Sequence, residues 1–476
     1  MNSIPEKSQD DHRPIIVRVG RNLRLSDHQP LLAAEQSGRP VIPVFIADDA
    51  FFALGAAPKW RFGLGLAAFS EQLEKIGSKL LLRRGDVQSV LLDLIHETQA
   101  CAVLWERSYD PSSIKRDTAI KMALGEEGIV AQSFSGALLI EPWEIATKTG
   151  DFYKVFTPFW RNLHQMNIAP PASTVSNLVA PTDWPKGEDI KDWQLDHGMM
   201  RGLDVVGDHI CVGEEAAVDR WEKFLSDNCN EYNDKRDFPA IDATSKLSEN
   251  LAYGEISPRL IWHLAQNAAH IDGVNVVPFI RQLAWRDFAW HLTYHTPHIL
   301  DANWKAGWDT FPWITKGPEV LAWQRGQTGI ELVDAAMREL YVTGRMHNRA
   351  RMIAASYLTK HLMVDWRVGQ EWFGDTLVDM DLAANAMGWQ WVAGTGPDAS
   401  PYFRVFNPDG QAEKFDKEGK YRDFWLNPAQ DGARQFAKAA PKSWNTDLKH
   451  RPKPLISLAD GRARALTAYS SLKKSG

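Results

Sequence analysis

The chain has 476 residues, a formal net charge of −6 and 44% hydrophobic residues, enough for two or three domains with a substantial core. It contains no run of roughly 18 or more apolar residues, so a membrane-spanning helix is not expected. The polar residues 1–14 lack the apolar segment of a signal peptide, which favours the cytoplasm. The three cysteines form no CxxC pair, which argues against a disulfide framework, an iron–sulfur cluster or another metal site.

An α/β domain is predicted over residues 14–140, because short β-branched runs alternate there with helical stretches. The runs predicted to be buried strands are 15–19 (IIVRV), 41–47 (VIPVFIA), 79–85 (KLLLRRG) and 101–106 (CAVLWE). Helices are predicted between them, over 31–38 and 63–78. The alternation predicts a Rossmann-like parallel sheet covered by helices. No GxGxxG follows the first strand, so a dinucleotide site in this domain has no motif support.

The rest of the chain divides into a connector and a helical domain. Residues 141–212 are rich in Pro, Asp, Trp and Gly and have weak periodicity, which predicts a long linker over the surface. From Gly213 onward helical periodicity dominates without strand-like alternation. An all-α domain is therefore predicted over 213–476.

One helical face is predicted to carry three residues of the segment 379–408, DMDLAANAMGWQWVAGTGPDASPYFRVFNP. Asp381, Asn385 and Trp389 follow one another at i, i+4 and i+8, so they stack along one side of a helix. Hydrogen-bonding groups followed by an indole suit a flat aromatic ligand with polar edges, such as a flavin. A helix whose polar residues cap its end or face water explains the segment equally well.

Four segments, in this order, resemble the flavin-binding core of the DNA photolyase/cryptochrome family: residues 231–248, 282–295, 332–362 and 379–408. Each alone is a weak signal, but their joint occurrence in order is specific. The resemblance implies FAD as the cofactor and blue-light-driven repair of cyclobutane pyrimidine dimers in DNA by electron transfer. A stacked lesion cannot reach a buried flavin, so the dinucleotide would be flipped out of the duplex, as photolyases do with their substrate.

The resemblance also implies which residues bind FAD. The turn Thr244, Ser245, Lys246, Leu247 and Ser248 would hold the diphosphate, although the same pattern is common where a helix is capped. The other positions implied for FAD are Tyr232, Phe279, Arg286, Asn348, Arg351, Asp379, Asp381 and Asn385. Asparagine at 385 is typical of the repair enzymes in this family.

A second implied set contacts DNA and the lesion: Gln282, Trp285, Arg286, Asn348, Arg349, Met352, Trp391 and Gln411. Gln282 departs from the dimer-repair pattern, which has glutamate there, and agrees with the six-four photolyase pattern. Asn348 favours dimer repair, because six-four enzymes have histidine at that position. Residues 281–360 carry ten Lys/Arg against seven Asp/Glu, so DNA binding would use a local surface of an acidic protein.

Trp389, Trp366 and Trp313 match the family's electron-transfer chain from the flavin towards the surface. The chain contains 20 tryptophans, and most tryptophans belong to cores. Only the match to motif positions therefore separates these three from the rest.

Two alternatives to dimer repair stay open, a six-four photolyase and a cryptochrome-like photoreceptor without repair. The C-terminus ends in a predicted closing helix, and a signalling extension is not expected.

The resemblance implies an antenna pigment in the α/β domain. The segment 18–24 keeps the Leu-Arg pair but not the aromatic pair of the family pattern, while 105–111 resembles the segment that lines the pigment pocket. Methenyltetrahydrofolate is favoured over a deazaflavin, and an empty pocket stays open. The expected partner is damaged DNA, without a membrane, and the expected oligomeric state is a monomer.

Overall fold

The computed structural model describes residues 12–398 and 403–475. In this part of the chain, one parallel sheet has the strand order β3-β2-β1-β4-β5. Its strands are β1 (Ile15–Val19), β2 (Val41–Ala47), β3 (Leu81–Arg84), β4 (Ala102–Glu106) and β5 (Val130–Phe134). The predicted parallel sheet is confirmed. The edge strand β5 was not predicted, because its sequence VAQSF is partly polar and only half buried.

Helices cover this sheet: α1 (Gln29–Gln36), α2 (Asp49–Phe52), α3 (Ala56–Lys75), α4 (Val87–Thr98) and α5 (Pro111–Glu126). Helix α3 begins well before the predicted start at residue 63. Gly63 and Gly65 lie inside it because a Cβ atom there would come within 2.5 Å of Leu195 and 2.8 Å of Leu23. Close packing therefore explains these glycines, rather than a helix end.

The connector between the domains contains the helices α6 (Phe156–Leu163) and α7 (Gly202–Gly207). It is mostly irregular, as predicted, but it is not confined to the surface. Phe156, Phe159 and Leu163 are each at most 1% exposed and belong to a core shared with the helical domain. Three apolar residues on one side of a short helix bury this part of the connector.

The described part of the chain beyond Gly213 is helical, as predicted, apart from one isolated bridge between Ile314 and Val364. Its helices are α8 (Glu214–Asp227), α9 (Tyr232–Lys235), α10 (Ser248–Ala252), α11 (Pro258–Asp272), α12 (Val277–His295), α13 (Pro318–Gln324), α14 (Glu331–Thr343), α15 (Asn348–Ser356), α16 (Trp366–Thr376), α17 (Leu382–Ala393), α18 (Pro408–Phe415), α19 (Lys420–Leu426), α20 (Asp431–Ala439) and α21 (Leu458–Ser475). Among the described residues, none of the helices has the length and apolar character needed to cross a membrane.

The two domains are joined by buried polar contacts. Asp27 of the α/β domain accepts a hydrogen bond of 2.8 Å from Arg259 at the start of α11, and the two side chains are at most 3% exposed. Gly254 has φ +64°, and a Cβ atom there would come within 2.0 Å of the Arg21 carbonyl oxygen. This close backbone approach requires glycine and brings the α/β domain against the helices that carry the predicted flavin site.

Candidate functional site

The side chain of Asp381 caps α17 and links it to α12. Asp381 Oδ1 accepts a hydrogen bond of 2.9 Å from the amide of Ala384. Its Oδ2 accepts one of 3.0 Å from Trp290 Nε1 and lies 3.5 Å from Arg286 Nε. The helix thus begins directly after the first residue of the predicted Asp381–Asn385–Trp389 face. A half-buried carboxylate and a guanidinium are brought together here.

Asp379, Arg351 and Ser248 converge from three separate segments, as their shared assignment to FAD requires. Arg351 Nη2 donates to both carboxylate oxygens of Asp379, at 3.0 and 2.8 Å. Ser248 Oγ donates to Asp379 Oδ2 at 2.8 Å. Asp379 is 7% exposed, so these charge-assisted bonds lie in a largely water-free setting and hold the three segments in register.

The turn Thr244–Ser248 precedes the short helix α10, as predicted. Lys246 has φ +54°, a left-handed conformation that is uncommon for a residue with a side chain. Its ammonium pairs with Asp242 at 2.7 Å. Ser245 Oγ accepts from the amide of Leu247 at 3.4 Å. The hydroxyls of this turn are only half buried or exposed, which suits a segment that meets a phosphate.

Asn385, Tyr232 and Phe279 lie in different surroundings. Asn385 Nδ2 donates to the Gln370 carbonyl oxygen of α16 at 3.0 Å, which fixes its carboxamide. Tyr232 and Phe279 pack against Phe224, with ring centroids 5.5 and 4.9 Å from it. Phe279 is 4% exposed and Tyr232 8%, so these two rings and Phe224 form a buried aromatic cluster.

Trp285 has one face of its indole covered. Its ring stacks on Phe156 with centroids 3.6 Å apart and planes 10° apart, so only the opposite face remains for a second flat group. Gln282, one turn earlier on α12, donates from Nε2 to the Pro278 carbonyl oxygen at 3.0 Å. The predicted lesion-stacking tryptophan is therefore supported from behind by the connector.

Asn348, Arg349 and Met352 form a neighbouring patch at the start of α15. Asn348 is exposed, and its Nδ2 lies 3.8 Å from Met352 Sδ. Arg349 pairs with Asp237 at 2.7 Å and lies over the ring of Phe415, 4.2 Å from its centroid. These contacts orient a cation and an amide at a partly open surface.

Trp391 and Gln411 belong to α17 and α18. Trp391 Nε1 donates to the carbonyl oxygen of Asp398 at 3.1 Å. Gln411 Oε1 is buried and accepts no hydrogen bond from the described residues. Residues 399–402 of the segment 379–408 lie outside the described residues.

The three tryptophans of the predicted electron-transfer chain share one hydrophobic core. Trp389 and Trp366 are 2% and 0% exposed, and Trp313 is half buried. The ring of Trp389 lies against Gly369, where a Cβ atom would come within 2.1 Å of it. Trp366 Nε1 donates to Asn303 at 2.9 Å. Trp313 stands 6.2 Å from Trp308, centroid to centroid.

The two predicted antenna segments meet in the α/β domain. Arg18 binds both oxygens of Asp117, each at 2.8 Å, and Trp105 Nε1 donates to the same carboxylate at 2.9 Å. Trp105 is 1% exposed, so its ring is a core element rather than an open face. Before the next helix, Arg107 and Asp110 of the segment 105–111 are half buried and Ser108 is exposed.

Burial strongly shifts the pKa of one acid beside the predicted flavin site. Asp287, which follows Arg286, is 2% exposed and accepts hydrogen bonds from the amides of Leu139 and Ile140. Burial raises its pKa to about 7, against the opposing effects of the Arg286 charge and the two amides. Through its hydrogen bonds from Leu139 and Ile140, Asp287 anchors the end of the α/β domain, directly before the connector.

The residues fit a bound FAD. A flavin ring offers one N–H donor and several acceptors along its polar edge, and a diphosphate offers only acceptors. Asp381 can accept while Arg286 can donate, and the buried Arg286 Nε makes no hydrogen bond within the described chain. A buried donor that makes no hydrogen bond is costly, so Arg286 Nε, with the Asp381 carboxylate 3.5 Å away, fits a ligand that accepts from it.

Several residues of the site were not predicted. Trp290 donates a hydrogen bond to Asp381, and Phe156 stacks on Trp285. Glu249 forms ion pairs with arginines from three separate segments. Their partners lie from tens to more than a hundred residues away in the chain. No local pattern of sequence could have paired them.

The fold and these paired charges define a two-domain protein, an α/β sheet domain packed on a helical domain that carries a flavin-type site. The family model "DNA photolyase" matches residues 15–176, and the model "FAD binding domain of DNA photolyase" matches residues 279–471. The deoxyribodipyrimidine photo-lyase of Agrobacterium fabrum is 43% identical over 471 residues, which cover 97% of this chain and 98% of that protein.

Two solved structures agree with this result. The crystal structure of a bacterial class III photolyase from Agrobacterium tumefaciens has a TM-score of 0.91 and 42% identity, and the match covers 98% of this chain and 99% of that one. A cryptochrome from Synechocystis sp. has a TM-score of 0.84 and 27% identity over 97% of this chain and all of that one. The chain belongs to the DNA photolyase/cryptochrome family.

Proposed function

We propose that this enzyme repairs cyclobutane pyrimidine dimers in DNA, with reduced FAD as its cofactor and blue light as its energy source. The observation that carries the proposal is the convergence of Ser248, Arg351 and Asp379 next to the Arg286–Asp381 pair. Relatives named deoxyribodipyrimidine photo-lyase support the choice of reaction. The chemistry that FAD supplies when bound is an electron, donated under light to the lesion and recovered after the ring opens.

In this proposal the polypeptide binds and orients, and no side chain acts as a nucleophile. Arg351, Asp379, Asp381, Arg286 and Asn385 hold the flavin ring, while the turn Thr244–Ser248 holds the diphosphate. Fixed hydrogen bonds keep these groups in place before light arrives, so little reorganisation is needed during the reaction. The rings of Tyr232 and Phe279 exclude water near the diphosphate-binding turn.

The lesion-binding side of the proposal uses Trp285, Asn348 and Arg349. The uncovered face of Trp285 would stack on the flipped dinucleotide. The exposed carboxamide of Asn348 can both donate to and accept from a base edge, and Arg349 would contact a phosphate. Met352, Trp391 and Gln411 would complete the wall around the lesion.

Trp389, Trp366 and Trp313 are proposed to carry electrons to an oxidised flavin. The indoles of Trp389 and Trp313 make no hydrogen bond within the described residues, so their environment is apolar. Replacing Trp313 by Phe should slow photoreduction at least tenfold, measured by the loss of oxidised-flavin absorbance under blue light. Repair by chemically reduced enzyme should not change. Normal photoreduction in this variant would remove Trp313 from the chain.

The test of the main proposal uses two oligonucleotides, one with a cyclobutane dimer and one with a six-four product. Reduced protein is illuminated with each, and a dark sample accompanies both. Restoration of the cyclobutane dimer only is the expected result. Restoration of the six-four product, which Gln282 would favour, would replace the proposal by that activity. Restoration of neither, with flavin bound and photoreducible, would place the protein among photoreceptors.

Methenyltetrahydrofolate is proposed as an antenna pigment of the α/β domain, in preference to a deazaflavin. Arg107, Ser108, Asp110 and Pro111 are the accessible residues of the segment 105–111. Mass spectrometry of small molecules released from the purified protein tests this directly. A folate supports the proposal, whereas a deazaflavin or no second chromophore contradicts it.

A further inference from the structure

A buried ion cluster lies between the two domains. Its centre is Glu249 of α10, whose side chain is fully buried. Arg61, from helix α3 of the α/β domain, donates from Nε to Glu249 Oε1 at 2.8 Å. The same guanidinium donates to both oxygens of Glu255, at 2.9 and 2.7 Å. A residue of the first domain is thus fixed to two carboxylates of the second.

Two more guanidiniums reach Glu249 from other segments. Arg220 of α8 and Arg345, from the loop before α15, donate to Glu249 Oε2 at 3.2 and 3.3 Å. Three guanidiniums therefore face the two carboxylates of Glu249 and Glu255. These five side chains carry one net positive charge, and the guanidiniums of Arg220 and Arg345 are 15% and 18% exposed. A partly buried net positive charge favours a nearby anion.

The cluster is bonded to the turn Thr244–Ser248. Arg220 Nη1 donates to the Lys246 carbonyl oxygen at 2.9 Å and to Asn250 Oδ1 at 3.0 Å. Lys246 is the residue of this turn with φ +54°. Since left-handed lysine is intrinsically disfavoured, the bond from Arg220 holds the turn in a conformation that it would not keep alone.

We infer that the cluster of Arg61, Arg220, Arg345, Glu249 and Glu255 positions the diphosphate-binding turn and supplies the positive charge that an FAD diphosphate requires. Arg61 then makes cofactor binding depend on contact between the domains. These are positioning residues, because Arg220 bonds to the turn directly and Arg61 and Arg345 act on it through Glu249, which follows Ser248. The inference rests on the proposed function only in requiring that the protein binds FAD.

The test measures FAD release from the purified holoenzyme. Flavin fluorescence after serial dilution gives the Kd for FAD in the wild type and in Arg220→Met, Arg220→Lys and Arg83→Met. Arg220→Met should raise the Kd about tenfold, the usual effect of losing one charge-assisted hydrogen bond, because only one of its three bonds, to the Lys246 carbonyl oxygen, reaches the turn. Arg220→Lys should recover part of the affinity, since an ammonium can still donate to the Lys246 carbonyl. Arg83, paired with Glu97 on the α/β domain, is the matched control and should not change the Kd.

A purely structural role predicts a different pattern. It would lower the thermal stability of the flavin-free and flavin-bound forms of Arg220→Met equally, and the Kd would stay at the wild-type value. That result would overturn the inference while leaving the proposed function intact. A wild-type protein that binds no FAD would instead overturn the proposed function itself.

Arg61→Lys tests the contribution of the α/β domain. Lysine keeps the charge but cannot bridge Glu249 and Glu255 as the planar guanidinium does. The expected result is again a Kd about tenfold higher, with the protein still folded because the buried charge is retained. A wild-type Kd in this variant would exclude Arg61 from cofactor binding and overturn that part of the inference.

Discussion

Gln282 is the residue on which the choice of lesion depends. Its Nε2 donates one hydrogen bond to the Pro278 carbonyl oxygen, which leaves its oxygen to accept from a base and its second N–H to donate. A carboxylate at this position cannot donate to Pro278 and is a stronger, charged acceptor. Gln282→Glu should therefore keep or raise cyclobutane-dimer repair, by up to about fivefold, which corresponds to roughly 1 kcal/mol.

The measurement is the repair rate of reduced enzyme under limiting light, with the wild-type protein as reference. Binding of the damaged oligonucleotide is followed separately, so that affinity and turnover can be distinguished. Complete loss of dimer repair in Gln282→Glu would mean that glutamine serves another substrate.

Asp287 provides a test of pH dependence at the same end of α12. Burial raises its pKa to about 7 in the folded protein, whereas the same group in an unfolded chain titrates near 4. The folded state therefore holds a proton that the unfolded chain has released. Its contribution to stability falls as the pH rises through this interval, by at most about 1.4 kcal/mol per pH unit.

Asp287→Asn should remove this contribution. Asparagine can still accept from the Leu139 and Ile140 amides, and its NH₂ group replaces the unpartnered Oδ1. The free energy of unfolding by urea, measured at several pH values from 4.5 to 7.5, should fall less with pH in the variant than in the wild type. The comparison must be a difference, because burial lowers the pKa values of His291 and His347 to about 4 and thereby acts with the opposite sign. Parallel curves for the two proteins would contradict the assignment.

At the scale of the elements, contact between α16 and α17 fixes Trp389. Gly369 lies in α16, and an added Cβ atom would come within 2.1 to 2.6 Å of three carbons of the Trp389 ring. Because Gly369 and Trp389 are buried and the indole ring is rigid, the clash cannot be relieved by a flexible side chain. Gly369→Ala should lower the free energy of unfolding by about 1–3 kcal/mol and slow flavin photoreduction.

Gly374 of the same helix is the matched control. A Cβ atom there meets nothing within 4 Å, so Gly374→Ala should raise stability by about 0.5–1 kcal/mol through helix propensity alone. Urea unfolding of both variants tests the pair. Equal effects of the two substitutions would show that packing against Trp389 is not what requires glycine at 369.

The sequence predicted elements well where one strong local signal was present. The β-branched runs of β1, β2 and β4 are fully buried, and their apolar continuity predicts central parallel strands. Strand β5 carries Gln132 and Ser133 at the sheet edge, where burial no longer imposes an apolar pattern. The apolar periodicity of α6 is only eight residues long, too short to separate it from the irregular connector.

The candidate site could be predicted only where motif positions identified it. Ser248, Arg351 and Asp379 were found in this way, and the structure brings them together. Arg61 and Glu249 are 188 residues apart, and nothing in either local sequence indicates the other. Such pairs follow from how the domains pack, which local pattern does not contain.

At the scale of the whole molecule, buried ion pairs across the junction should make the two domains unfold together. Asp27 of the α/β domain is 0% exposed and accepts from Arg259 at 2.8 and 3.1 Å. Ser257 and the Ala172 amide donate to the same carboxylate. If the two domains separated without unfolding, Asp27 and Arg259 would each lose the opposite charge that compensates their burial.

Asp27→Asn keeps the shape of the side chain and tolerates the left-handed φ of +49° at this position, but it leaves the Arg259 guanidinium without its counter-charge. Removing one partner of a buried pair typically costs about 3–5 kcal/mol. Urea unfolding should therefore shift to lower concentration while remaining one transition, followed by tryptophan fluorescence and by flavin release. Asp86→Asn, at the exposed N-cap of α4, is the control and should change stability by less than about 0.5 kcal/mol, since asparagine caps equally well. If the two probes separated in the wild type, the domains would be independent folding units, and the Asp27–Arg259 pair would stabilise only their contact.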